Sequence, residues 1–398
     1  MKKLIALLLA CVMVLGLVAC GSKPVETTAP ADGENNPVET TAPVASDVEY
    51  KIAMVTDYGD ITDQSFNQTT YEACKAFADA NGVKLTYYKP AGDSDAERVA
   101  MIEKAVDEGY NVIVLPGFAF ANAIAQSAPT YPDVKFIALD VAEFDLTSAG
   151  LTAETMKNVY SAVYQEELSG YMAGYAAVKM GYTKLGFLGG MAVPAVQRFG
   201  YGYVQGIDAA AKELGITVDL NYVYGGLFYG TPDFTAAMDT WYKGGTEVVF
   251  ACGGGIFTSA VEAAVKVEGA KVIGVDVDQA GVIAGVAGMG SDTSLTVTSA
   301  MKGLYPTTVD TLTDVIVNGN WEKYAGKVAT LGLVSGDDPT LNYVQIPMES
   351  TQWNDTFTQD DYKALVKGMF DGTIKVSADT SAAPTVTNVN VTYQDQIA

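Results

Sequence analysis

From Tyr50 onward the chain alternates short apolar runs with amphipathic stretches, and nothing else in the sequence restricts its fold as much. Runs at residues 51–56, 83–88, 111–115, 134–139, 184–188, 216–224, 247–251 and 271–275 have the length and β-branched content of buried strands. Between them, residues 65–80, 94–108, 193–214, 233–242 and 257–267 carry apolar positions at helical spacing. Strand and helix in strict turn predict parallel sheets with crossover helices, an α/β fold. About 350 residues exceed what one such core usually holds, so two lobes are expected. The rhythm pauses near 158–167, which marks the first crossing between lobes. Later the pattern loosens: a strand-like 294–297, a helix over 300–317, an irregular Pro/Gly/Asp-rich stretch to about Asp355, a helix over 360–370 and a Thr/Ala/Val-rich tail. These pieces are expected to return to each lobe in turn. That gives a first lobe of 48–162 with 280–325 and a second of 163–279 with 326–398.

The segment before Tyr50 has other chemistry. Met1-Lys2-Lys3 leads into a leucine-rich run too short to span as a mature helix, so residues 1–19 are expected to be a secretory signal. It ends Leu17-Val18-Ala19-Cys20-Gly21, which resembles a lipobox, with cleavage before Cys20 and lipid on that cysteine. Residues 20–47 are rich in Pro, Thr, Glu and Ala and contain PVETTAP twice, a spacer with too little apolar surface to offset its ordering entropy. Sites for O-linked sugar fit the same composition. The expected protein is exported and held at the membrane by acyl chains on its extracytoplasmic face. Cys11 leaves with the signal, so Cys74 and Cys252 remain, both in apolar segments and both expected to be buried thiols.

Charge and composition narrow the function. The chain has 24 Lys+Arg against 47 Asp+Glu, a net charge of -23, which disfavours nucleic acid as a partner. It has no histidine, which removes Ser-His and Cys-His nucleophiles and imidazole-based zinc sites. Carboxylate chemistry and binding are left.

Three strand-like runs end in aspartate, at Asp57, Asp140 and Asp276. In parallel α/β sheets ligands bind beyond the carboxyl ends of the strands, so three such residues point to one cleft. Each carboxylate accepts two hydrogen bonds, from a ribose diol or a base N–H edge. Ser65-Phe66-Asn67-Gln68 fits a capping box with Ser65 as N-cap. Phe66 shares helical spacing with Thr70, Ala73, Cys74 and Phe77, so by periodicity alone it reads as core. Asp60 and Asp63 are left loop and cap roles. Gly253-Gly254-Gly255 after a strand lets a ligand approach the backbone closely. No metal site, cofactor or catalytic residue is assigned.

Taken together, these residues resemble the basic membrane protein family of lipoproteins, the purine nucleoside receptor type of substrate-binding protein for ABC importers. The resemblance runs from about Lys51 to Lys302. It rests on Thr56-Asp57, Asp63-x-Ser65-Phe66-Asn67-Gln68, Phe136 to Asp140, Gln165-Glu166, Gly189-Gly190, Phe199, Gly253-Gly254, Val272 to Asp276 with Asp278-Gln279, and Lys302. It implies a type I periplasmic-binding-protein fold, two doubly wound lobes joined by a hinge, that closes on a nucleoside without catalysis. By the same resemblance Asp57 and Asn67 would hydrogen-bond the base, Phe66 would stack on one face, and Phe228, with Tyr229 in reserve, would cover the other. Asp140 would line the cleft, and Gly254, Asp276 and Lys302 would hold the ribose hydroxyls. The partners implied are the nucleoside and an ABC permease, with the protein acting as a monomer. Tyr58-Gly59-Asp60 and Gly226-Leu227-Phe228 depart from the usual family pattern, and both bear on base preference. Riboflavin, which some relatives bind, and delivery to a membrane sensor are the alternatives. An Asp-dependent hydrolase is the competing class, but Asp57, Asp60 and Asp63 lack the D-x-D-x-x-x-D-D order of nucleoside hydrolases.

Overall fold

In a strand buried on both faces, alternate residues feed two different cores, and this chain uses that rule in each lobe. Ala53 and Val55 pack into one apolar cluster, with Ile102 and Ile124; Ile52 and Met54 pack into another, with Cys74 and Leu312. A computed structural model of the chain describes residues 48–397. The expected signal, Cys20 and the whole of the spacer lie outside the described residues.

The first half runs β1 (Lys51–Val55), α1 (Phe66–Asn81), β2 (Lys84–Tyr88), α2 (Asp95–Asp107), β3 (Val112–Pro116), α3 (Ala121–Ser127), β4 (Lys135–Leu139), α4 (Glu143–Ser148) and β5 (Val159–Tyr164). The second runs α5 (Glu166–Lys179), β6 (Lys184–Gly189), α6 (Pro194–Leu214), β7 (Val218–Tyr224), α7 (Pro232–Lys243), β8 (Val248–Cys252), α8 (Phe257–Ala264), β9 (Lys271–Asp276), α9 (Ala280–Val286) and β10 (Thr296–Lys302). Then follow α10 (Leu304–Leu312), β11 (Lys327–Leu331), β12 (Val344–Gln345), α11 (Gln359–Phe370) and β13 (Val389–Tyr393). The first sheet has the order β11-β5-β4-β3-β1-β2 and the second β12-β10-β9-β8-β6-β7-β13. Every neighbouring pair is parallel except β10 with β12. This is the two-lobed, doubly wound α/β arrangement expected.

The lobe boundaries differ from expectation. Residues 280–302 belong to the second lobe, because β10 pairs with β9 in its sheet, so the chain returns to the first lobe only at Gly303. β11 pairs with β5 in the first sheet, so the last crossing falls after Leu331 and not at 326. The first crossing, after Tyr164, lies within the predicted pause, but that pause is itself β5. Three segments therefore pass between the lobes side by side. They are laced by Gln165 N to Leu331 O (2.9 Å), Tyr343 N to Gly332 O (3.0 Å) and Gly303 N to Tyr343 O (2.7 Å).

In the second lobe α5 and α6 meet at unusually short range. A Cβ at Gly202 would lie 2.1 Å from the Glu167 carbonyl oxygen, and one at Gly206 2.1 Å from that of Tyr171. Only glycine permits that approach, and it places the start of α5 and the side chain of Arg198 beside the cleft.

Candidate functional site

Between the carboxyl ends of the two sheets lies a cavity of about 680 Å³, within the range of small-molecule sites. Asp57, Phe66, Asn67, Asp140, Phe228, Gly254, Asp276 and Lys302 all line it. The three aspartates do stand at strand ends, after β1, after β4 and at the end of β9. Asp140 and Asp276 have φ of 63° and 66°, left-handed geometry that turns each carboxylate out of its strand.

The loop from β1 to α1 builds one wall. Asp57 Oδ1 accepts from the backbone N–H of Tyr58 (2.7 Å) and Gly59 (2.8 Å), which folds the chain back on itself. A Cβ at Gly59 would lie 2.4 Å from Asn67 Nδ2, so the turn needs glycine there. Burial pushes the Asp57 carboxyl upward, against the opposing pull of the Gly59 and Tyr58 N–H groups.

The expected capping box at Ser65 does not form. Asp63 caps α1 instead, its carboxylate accepting from the backbone N–H of Ser65 (3.0 Å), Asn67 (2.9 Å) and Gln68 (3.0 Å). Gln68 reaches the N–H of Gln64, not that of Ser65. Ser65 is thereby free to donate its hydroxyl to Asp276 across the cleft, at 2.5 Å. Asp63 also accepts from Asn67 Nδ2 (3.1 Å), which fixes the amide so that Asn67 Oδ1 is the free acceptor. Asp63→Ala is expected to lower stability by about 0.5–2 kcal/mol. It should also weaken ligand binding by releasing the Asn67 amide, measurable as paired changes in urea unfolding and ligand titration.

The floor of the cleft is an ion network. Lys302 Nζ lies 2.5 Å from Asp140 Oδ2, 3.5 Å from Glu166 Oε1 and 3.7 Å from Asp276 Oδ1. It also lies 4.6 Å from the centre of the Phe66 ring, with Tyr164 and Phe199 rings at 5.6 Å and 5.7 Å. Burial alone would depress the lysine, but Asp140, Asp276 and Glu166 outweigh it and hold its pKa above the usual range. Arg198 Nε closes the network at 2.6 Å from Glu166. Burial pushes Asp140 up to about 6, with Lys302 opposing and the charge of Glu166 adding to the rise. Among the described residues, Asn67 Oδ1 and Asp140 Oδ1 are buried without a hydrogen-bond partner.

On the other wall, the Phe228 ring rests on backbone. Cβ atoms at Gly190 and Gly253 would fall 2.4 Å and 2.8 Å from its edge, and Phe228 O accepts from Gly255 N at 2.8 Å. Tyr229 lines the cavity from a more exposed position.

A family model for PnrA-like ABC transporter substrate-binding proteins matches residues 50–364. The chain belongs to this family. Among PnrA-like relatives, the ABC transporter nucleoside-binding protein BmpA of Lactococcus lactis is 29% identical over 300 residues, covering 72% of this chain and 80% of that protein. A lipoprotein of Pyrococcus furiosus is 25% identical over 342 residues, 82% of this chain and 79% of that one. A solute-binding protein of an ABC transporter from Aeropyrum pernix superposes with a TM-score of 0.63 at 22% identity, over 82% of this chain and 87% of that one. The fold is thus that of the periplasmic binding proteins, and PnrA-like membership implies a small-molecule ligand and an ABC permease as partner. Among the described residues no helix is long and apolar enough to cross a membrane.

Sequence reading gave no role to Glu166, Arg198 or Lys89, although all three belong to the cavity wall or its ion network, and it marked Tyr58, which also lines the cavity, only as bearing on base preference. Glu166 had a usable signal, since it follows β5 as the aspartates follow their strands. Arg198 had none, because it reaches the network only through the close approach of α6 to α5. Cys74 and Cys252 are buried free thiols, and burial pushes Cys74 up to about 12.

Proposed function

We propose that this substrate-binding protein is a lipid-anchored extracytoplasmic receptor that holds a purine nucleoside between its lobes and delivers it to an ABC importer. The observation that carries the reading is the pair of buried, unpartnered acceptors, Asn67 Oδ1 and Asp140 Oδ1, that the first lobe turns to a cavity also lined by Phe66 and Phe228. A buried acceptor left unmatched costs about 1–3 kcal/mol, so each calls for a donor on the ligand. Asn67 and Asp57 together suit the N–H edge of a purine, Phe66 and Phe228 its two faces, and Asp140, Gly254, Asp276 and Lys302 the ribose hydroxyls.

Six carboxylates on the cavity wall, Asp57, Asp60, Asp63, Asp140, Asp276 and the adjoining Glu166, disfavour a phosphorylated ligand. Binding is favoured over hydrolysis because the candidate acids are already engaged: Asp57 holds two backbone N–H groups and Asp140 pairs with Lys302. The nucleoside-binding description of the Lactococcus relative supports the nucleoside, and the lipoprotein description of the Pyrococcus relative supports the anchor at Cys20.

The test has two parts: identify by mass spectrometry whatever small molecule leaves the purified protein on unfolding, then titrate stripped protein with inosine, guanosine, adenosine, uridine, ribose and riboflavin. Purine nucleosides are expected to bind best. Recovery of a flavin or a sugar, with no heat on adding any nucleoside, would sink the proposal.

A further inference from the structure

Beside the main cavity lies a second one of about 420 Å³, and Tyr58 and Phe118 line both. The second chamber is the more open of the two and carries charged groups on its rim: Asp93, Asp95, Asp145 and Asn122 line it with the buried Arg98, among apolar groups such as Ala119 and Ala149. Arg98 pairs with Asp93 and Asp95, and its Nε has no hydrogen-bond partner among the described residues.

The shared residues sit next to the groups proposed to read the base. Tyr58 follows Asp57 directly and donates its N–H to that carboxylate. Phe118 follows Gly117, where a Cβ would lie 3.0 Å from Asp57 Oδ2. The two rings therefore stand just beyond the Asp57 carboxylate, at the end of the cavity where the polar edge of a base would lie. The Tyr58 ring is also tethered at its far end: its hydroxyl lies 3.6 Å from Met191 Sδ, on the β6–α6 loop of the opposite lobe.

We infer that Tyr58, held by Met191, is the wall that separates the ligand cavity from the polar chamber, and that it limits the ligand to bases without a bulky substituent on their hydrogen-bonding edge. This rests on the nucleoside reading above. A ring anchored by its backbone and resting on Met191 at its hydroxyl excludes by steric clash, and the chamber behind it has room and hydrogen-bonding groups for the excluded substituent. With the ring removed the two cavities become continuous, and a base substituent can pass into the chamber. Tyr58 acts on which ligand enters; Asp57 and Asn67 act on how the base is held.

The experiment compares wild type, Tyr58→Ala and Met191→Ala by calorimetric titration with adenosine and N6-benzyladenosine, and with guanosine and N2-benzylguanosine. Wild type should prefer the unsubstituted member of the pair it binds by roughly tenfold or more, the scale of steric discrimination in a packed pocket. Tyr58→Ala should bring the benzyl compound to within about threefold of its parent, and Met191→Ala should shift the ratio the same way by less. Wild type that binds both members alike, or a Tyr58→Ala variant that weakens both in proportion, overturns the inference. Wild type that binds neither parent nucleoside overturns the functional reading itself, and that result comes from the unmodified protein alone.

Discussion

Replacing Lys302 with methionine is expected to destabilise the fold by about 3–5 kcal/mol, because it leaves Asp140, Glu166 and Asp276 buried with only Arg198 to compensate them. The loss should depend on pH in a defined direction. In the intact protein burial already lifts the Asp140 carboxyl to about 6, and Lys302 is the group that holds it down. Without the ammonium it rises further. A carboxyl whose folded pKa lies above its unfolded value supports stability below the unfolded pKa and loses that support as pH rises through the folded one. The gap between wild type and variant should therefore be small near about pH 4 and clearly larger at about pH 7.5. Urea unfolding at both pH values reads this directly. An equal gap at the two would show that lost packing, and not uncompensated charge, is responsible.

Phe66→Ala is expected to weaken nucleoside binding by roughly 5- to 150-fold, the equivalent of about 1–3 kcal/mol for one lost stacking partner. Its stability cost should stay well below the roughly 3–5 kcal/mol typical of a fully buried phenylalanine. The reason is position: Phe66 is only half-buried at the first turn of α1 and lines the cavity, whereas Thr70, Ala73, Cys74 and Phe77 on the same helix are buried. The core and ligand readings of this residue thus separate in one variant. Titration with inosine and urea unfolding of the same preparation decide it; a large stability loss with unchanged affinity would return Phe66 to the core.

The strands that carry the aspartates were legible because each is a continuous apolar run bounded by polar residues, β1, β4 and β9 alike. β5 was hidden for the opposite reason. It passes into α5 with only Gln165 between them, so no glycine or proline marks its end. Ala300-Met301-Lys302 read as helix from intrinsic preference, but pairing of β10 with β9 overrides it. β13 was read as tail because VNVTY mixes polar residues into an edge strand, where one side of the ladder has no partner. At Ser65 two rules competed. The S-x-x-Q spacing was present, but Asp63, two residues earlier, has a charged acceptor and reaches three N–H groups at once. The eight candidate ligand residues came from the family resemblance, with the strand-end rule pointing independently to three of them. The Glu166–Arg198 arm of the ion network came from neither, because the two are 32 residues apart and meet only through tertiary packing.

Glu166 opens the helix that follows the first crossing, and Lys302 is the last residue before the second. A charge placed on the axis of a rotation is displaced far less than one at the rim. Both stand on the second lobe, so their ion pair need not be taken apart and rehydrated as the lobes swing, whereas Asp140, 2.5 Å from Lys302, stands on the first. The contacts that bridge the two lobes include Lys302 with Asp140, Ser65 with Asp276, Gln279 with the Gln64 carbonyl and Tyr58 with Met191, of which the first two are charge-assisted and the last is weak. A receptor built this way keeps Glu166, Arg198 and Lys302 assembled on one lobe and uses Asp140 of the other as the charge that meets them.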